Sequence, residues 1–123
     1  MPLSAEENIV RAICTDKWDG ERASPSLFKG KDTSVSRLSL IPLEDHWEMF
    51  RDYVQKPPER LLERIGEINV GALHQTPVEL TVEPDPLDWN HAHAIIPQNI
   101  SRGMANRILK ALEIHAPPAD FTR

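Results

Sequence analysis

Two histidines one residue apart are the first positions whose type and spacing suggest chemistry. They sit in Asp88-Trp89-Asn90-His91-Ala92-His93-Ala94. On a strand, positions i and i+2 share a face, so two imidazoles there stand roughly 6–7 Å apart along one side. Such a pair can chelate a divalent metal such as zinc, with His74, Asp85 or Asp88 completing the ligand set. The same pattern also fits one buried, hydrogen-bonded histidine beside one that caps a turn. Asp85 and Asp88 are a carboxylate pair in a loop, and spacing alone gives them no acid–base role.

Trp18 and Trp89 each stand beside aspartate in loops bordered by proline or glycine, whereas Trp47 lies on a helical stripe. An indole in a loop either folds down onto the core or anchors a ligand or partner. Both are candidate partner-binding residues. A third group, Arg102, Arg107 and Lys110, lies outside the apolar stripe of the last helix, with Asn99, Ser101 and Asn106 as further donors. A helix of this kind can touch nucleic-acid phosphates or simply present a solvated face.

Other chemistries are excluded by pattern. No P-loop, Gly-x-Gly-x-x-Gly, His-Glu-x-x-His or Gly-x-Ser-x-Gly is present. Cys14 is the only cysteine, so neither an internal disulfide nor a multi-cysteine zinc site can form. Its place in an apolar stretch predicts a small buried residue rather than a nucleophile. No cofactor is implied.

These residues belong to a chain of 123 residues, the length of one domain. Charged residues make up 27% and the formal net charge is −5, which argues against a general nucleic-acid-coating protein. No apolar run is long enough to suggest a membrane span, and the acidic start resembles neither a secretory nor a transit segment. Cytoplasmic residence and no membrane partner are the expectations.

The elements that must position the chemistry follow from periodicity. Ser4-x-x-Glu7 could open a helix as a capping box, but Asn8 to Cys14 is rich in strand formers and is read as a strand. Thr33 to Ile41 alternates and is read as another. Leu43, Trp47, Phe50 and Val54 mark one face of a helix that starts after Pro42 and ends before Pro57-Pro58. Pro58 to Arg64 is read as a short second helix with proline in its first turn. Glu67 to Leu73 is apolar and β-rich. Val78, Leu80 and Val82 alternate with polar residues and predict a half-exposed strand. His91 to Ile96 is another strand candidate, stopped by Pro97. Met104, Ile108 and Leu112 mark a last helix capped by Asn99 or Ser101. The fold class is therefore α+β, a small and mostly antiparallel sheet with two or more amphipathic helices packed on it. Residues 1–118 form one domain and 119–123 a frayed tail. Of eleven prolines, against five glycines, ten fall at element borders and Pro2 at the terminus, so they signal stiff loops and not disorder.

Arg11 on the first strand, then Phe28, then Ser34-Val35-Ser36 on the next, resembles the layout of mono-ADP-ribosyltransferases. The resemblance implies that Arg11 contacts phosphate and that Ser34 or Ser36 supports a nicotinamide pocket. Guanidinium pairs well with pyrophosphate. Valine stands where that pattern has its middle threonine, no Glu-x-Glu follows, and Glu67 is the only loosely placed acid. With His93, this makes Arg11 and Ser36 the candidates for a nucleotide-handling enzyme. More diffusely, Ile9-Val10-Arg11, Ser24 to Phe28, Ser34 to Arg37, Glu67 to Gly71, Asp85-Pro86 and Ala92 to Ile95 resemble small bacterial proteins of mobile-element and defence gene neighbourhoods. That resemblance carries no activity. It implies a bacterial, cytoplasmic accessory component and nothing finer. The absence of a catalytic signature, together with the loop tryptophans and proline-bordered loops, points to a small protein that binds a protein partner within a larger complex, with nucleic acid met only as part of that complex. The oligomeric state is left open.

Overall fold

The computed structural model describes residues 1–123. Six strands form one sheet in the order β4-β5-β2-β1-β3-β6. They are β1 Asn8–Cys14, β2 Thr33–Arg37, β3 Leu62–Asn69, β4 Glu83–Pro84, β5 His93–Ile96 and β6 Glu113–His115. Every pairing is antiparallel. Three helices accompany them: α1 Leu43–Tyr53, α2 Val70–His74 and α3 Arg102–Ala111. The α+β expectation of a mostly antiparallel sheet with amphipathic helices therefore holds. No helix is long and apolar enough to cross a membrane.

The alternation along β1 sorts its side chains onto two faces. Ile9 and Ile13 join Val35, Ile68, Ala94 and Ile96 in a core completed by Met104, Ala105 and Ile108 of α3. Val10 and Cys14 face the other way and meet Trp47 and Phe50 of α1, with Leu62 and Ile65. The sheet is thus covered by α3 on one face and α1 on the other. Glu44 and Asp45 occupy the first turn of α1, where the helix dipole favours anions. Ser101 caps α3, its Oγ accepting from the Met104 amide at 3.2 Å.

Several local expectations are corrected by long-range pairing. Pro58 to Arg64 is not a helix. Lys56 and Arg60 exchange backbone hydrogen bonds of 2.7 and 2.9 Å that close a turn, and Leu62 enters β3 opposite Cys14. A first-turn proline signal of a few tenths of a kcal/mol cannot compete with burying Leu62 and Ile65 against β1. The segment after β3 turns into α2 because the Asn69 side chain accepts from the Gly71 amide and starts a helix. Val78 to Val82 is no ladder strand. Leu80 and Val82 are fully buried as the alternation implied, but the Leu80 amide bonds to the Leu73 carbonyl and the Thr81 amide to Gln98 Oε1. β5 begins at His93 rather than His91. Residues 119–123, expected as a frayed tail, lie against α1 and β3. The Phe121 ring is 5.2 Å from Trp47, and Arg123 pairs with Glu63 at 3.0 Å.

Candidate functional site

β1 and β2 pair only at Ile9–Arg37 and Val10–Ser36. Beyond that point β1 continues along β3 as far as Cys14, while β2 continues along β5 as far as Thr33. The two central strands therefore part, and side chains rather than backbone bonds span the gap. Arg11 does so directly. Its Nε donates to the Leu27 carbonyl and its Nη1 to the Ser34 carbonyl, both at 2.7 Å. A cleft of about 330 Å³ opens beside this gap.

The walls come from distant parts of the chain. β1 and β2 contribute Arg11, Cys14, Ser34 and Ser36. The end of α1 and the following turn contribute Tyr53, Lys56 and Arg60, and the loop before β5 contributes Trp89 and Asn90, with His93 beyond it. Trp89 lies parallel to Tyr53, with centroids 5.0 Å apart and an interplanar angle of 11°. The result is an aromatic platform at the rim.

The charge of the cleft opposes that of the chain. Arg11, Lys17, Lys56 and Arg60 line it against a single carboxylate, Asp16, in a protein of net charge −5. Arg37, Arg51, Arg64 and Arg123 all pair with carboxylates elsewhere. Arg11 and Arg60 pair with none. Arg60 donates Nη2 to the Val54 carbonyl at 3.3 Å, and its buried Nε has no acceptor. Burial lowers the pKa of Arg11, which still leaves a guanidinium charged. Two partly desolvated cations with no ion-pair partner, and Asp16 as the one carboxylate of the cleft, are a costly arrangement that an anion relieves.

The floor of the cleft is a polar network. Ser36 Oγ lies 2.7 Å from His46 Nε2. It accepts from Asn90 Nδ2 at 3.0 Å, and Asn90 Oδ1 accepts from the Ala92 amide. His93 stands opposite Ser36 in the β2–β5 register. Its Nδ1 lies 2.7 Å from the Asp85 carbonyl, which can only accept, so Nδ1 carries a proton, and the Asp85 carboxylate stands 3.3 Å from the same nitrogen.

Arg11, Ser36 and His93, the nucleotide-handling candidates, thus line one cleft. Trp89 joins them at the rim. Trp18 does not. It is half-buried against the larger core under the Arg64 guanidinium, 5.0 Å from the ring centroid. Arg102, Arg107 and Lys110 are exposed on α3, and none of them lines the cleft. Cys14 is buried, and burial pushes its thiol pKa up, which disfavours the thiolate.

The His91–His93 chelate is corrected. His91 is exposed in the turn before β5 and His93 is buried within it, so the two do not share a strand face. His74 lies on α2. A different set brings ligand atoms together: Glu67, Glu113 and His115 lie within 4.8 Å of one another. As they stand, His115 Nε2 bonds Glu67 at 2.9 Å and Glu113 at 3.0 Å. Glu67 is therefore occupied on the β3–β6 side and takes no part in the cleft.

Sequence reasoning missed His46, Arg60, Lys56 and Tyr53. Only His46 left a signal: three residues after Leu43 and four before Phe50, it belongs to the buried flank of α1. No family model matches the chain, and neither a curated protein nor a solved structure matches it.

Proposed function

We propose that the cleft binds a nucleotide, with the base on the Trp89–Tyr53 platform and the phosphates among Arg11, Arg60, Lys56 and Lys17. The observation that carries this reading is the pair of cleft arginines without carboxylate partners, Arg11 and Arg60, beside an aromatic stack. An apolar ligand would leave those charges uncompensated, and a bare inorganic anion would leave the rings unused. A nucleotide uses both, through charge-assisted hydrogen bonds and stacking. The reading agrees with the phosphate role that the transferase resemblance implies for Arg11. It does not extend to that family's reaction, since no Glu-x-Glu is present.

Calorimetric titration with ADP tests it. Binding is expected, weakened about tenfold or more in Arg60→Ala, as loss of a hydrogen bond to a charged group implies, and weakened also in Trp89→Ala. Absence of binding at millimolar ADP, or equal binding by wild type and both variants, would overturn the reading.

A second reading, a protein partner seated on the same rim, rests on Tyr53, which is 58% exposed yet stacked on Trp89. Under it, Trp89→Ala loses a copurifying protein and leaves ADP titrations flat for wild type and variant alike.

A further inference from the structure

Ser36 is the serine of the cleft whose hydroxyl is held at both ends. Hydrogen-bond logic fixes the direction of every contact around it. The Pro42 carbonyl, 3.1 Å from His46 Nδ1, can only accept, so Nδ1 carries the ring proton. Nε2 then presents a lone pair, and Ser36 Oγ–H donates to it across 2.7 Å. Asn90 cannot be flipped, because its Oδ1 takes the Ala92 amide at 2.9 Å. Its Nδ2 therefore donates to Ser36 Oγ. One Oγ lone pair accepts from Asn90 and the other is unused.

A hydroxyl donating to a neutral imidazole, with the far ring nitrogen pinned by an acceptor, is the arrangement that activates a serine nucleophile. His46 is completely buried, and its ring is set against Phe50, with centroids 5.3 Å apart. Desolvation lowers its pKa, so it stays neutral and able to accept a proton at physiological pH. Ser36 lines the same cleft as the two unpaired arginines.

We infer that Ser36 is a nucleophile activated by His46, and that its substrate class is a phosphate ester or anhydride whose phosphoryl group the cleft cations hold. The substrate class rests on the nucleotide reading above. In the first step Ser36 Oγ attacks phosphorus. The Oγ–P bond forms while the bond from phosphorus to the leaving oxygen breaks, and that oxygen keeps the electron pair. The serine proton passes to His46 Nε2 and from there to solvent, while the leaving oxygen, in line and opposite Oγ, takes a proton from solvent. In the second step water attacks the phosphoserine and gives a proton to His46 Nε2. The P–Oγ bond breaks and Oγ recovers that proton. The sum is hydrolysis, one water consumed per phosphoryl group released. Asn90 is a positioning residue that aims the hydroxyl.

A fluorophosphonate probe reads the nucleophile directly, since attack on it expels fluoride and leaves a stable adduct. Incubating the full chain with the probe and mapping the adduct by peptide mass spectrometry is expected to place it on Ser36. His46→Gln is expected to slow labelling at least tenfold, in line with removal of a positioned base. On the unmutated protein, where no variant need fold, excess ADP is expected to protect Ser36. No adduct on Ser36, or equal labelling rates in wild type and a folded His46→Gln, overturns the proposal. ADP titration by calorimetry separates the two readings. Binding without an adduct ends the serine proposal and leaves the nucleotide cleft standing. An adduct without ADP binding or protection overturns the phosphate substrate class and the nucleotide reading, and leaves the activated serine.

Discussion

Arg11 donates Nη1 to the carbonyl of Ser34 at 2.7 Å, across the gap where the two central strands stop pairing. One side chain thus replaces a stretch of β-ladder, and a second bond from Nε to Leu27 ties in the loop before β2. Removing both in Arg11→Ala is expected to lower stability by about 2 kcal/mol, since a charged donor and two carbonyl acceptors are involved. Arg11→Lys keeps the charge but not the fork, and is expected to recover only part of the loss. Urea unfolding of the three proteins checks this, and equal midpoints would refute it.

His46 makes stability depend on pH above the carboxylate range. Desolvation lowers its folded pKa below the ordinary 6.5. The unfolded chain therefore takes up the proton first as pH falls. The stabilising contribution is whole above about pH 6.5 and declines below it, at up to about 1.4 kcal/mol per pH unit. Unfolding midpoints measured from pH 8 to pH 5 are expected to fall in wild type and to stay flatter in His46→Gln. Parallel curves would contradict the assignment.

Glu7 adds a second, more acidic window. Burial pushes its pKa up, but the hydrogen bonds from Arg37 and Ser39 and the Arg37 charge outweigh burial and leave it lowered from 4.5. Its contribution is present above that value and is lost as pH falls below it. Glu7→Gln is expected to be less stable than wild type at pH 7, with the gap narrowing in thermal unfolding as pH falls below 4.5. A gap equally wide at every pH would mean that the ion pair with Arg37 is not its source.

Leu80 and Val78 separate burial from strand membership. Neither belongs to a strand of the sheet, yet Leu80 is fully buried and Val78 is 56% exposed. Leu80→Ala is expected to cost about 2–5 kcal/mol, and Val78→Ala to change stability by less than about 0.5 kcal/mol. Chemical denaturation of both variants decides the matter, and similar costs would place the alternation on the wrong footing.

Cys14 lines the cleft wall but keeps a protonated thiol, because burial raises its pKa. Reaction with a thiol reagent such as dithionitrobenzoate is expected to be slow in the native protein and fast in denaturant. Fast native labelling at pH 7 would show an accessible thiolate instead.

The sequence by itself determined what is local. The strand formers of Asn8 to Cys14 marked β1, and the alternation from Thr33 marked β2. The Leu43, Trp47, Phe50 stripe set the buried side of α1, and the Asn99 or Ser101 cap with the Met104, Ile108 stripe set α3, whose start the structure places at Ser101. These follow because side-chain direction repeats every two residues in a strand and every 3.6 in a helix. Only the tertiary structure decided the rest. It turned Pro58 to Arg64 from a helix into an approach to β3, and it separated His91 from His93. It also brought Arg60 to Arg11 and His46 and Asn90 to Ser36. Such meetings depend on which strands pair and where the pairing stops. The parting of β1 from β2 after Val10–Ser36 is a long-range register, and no periodicity along the chain encodes it.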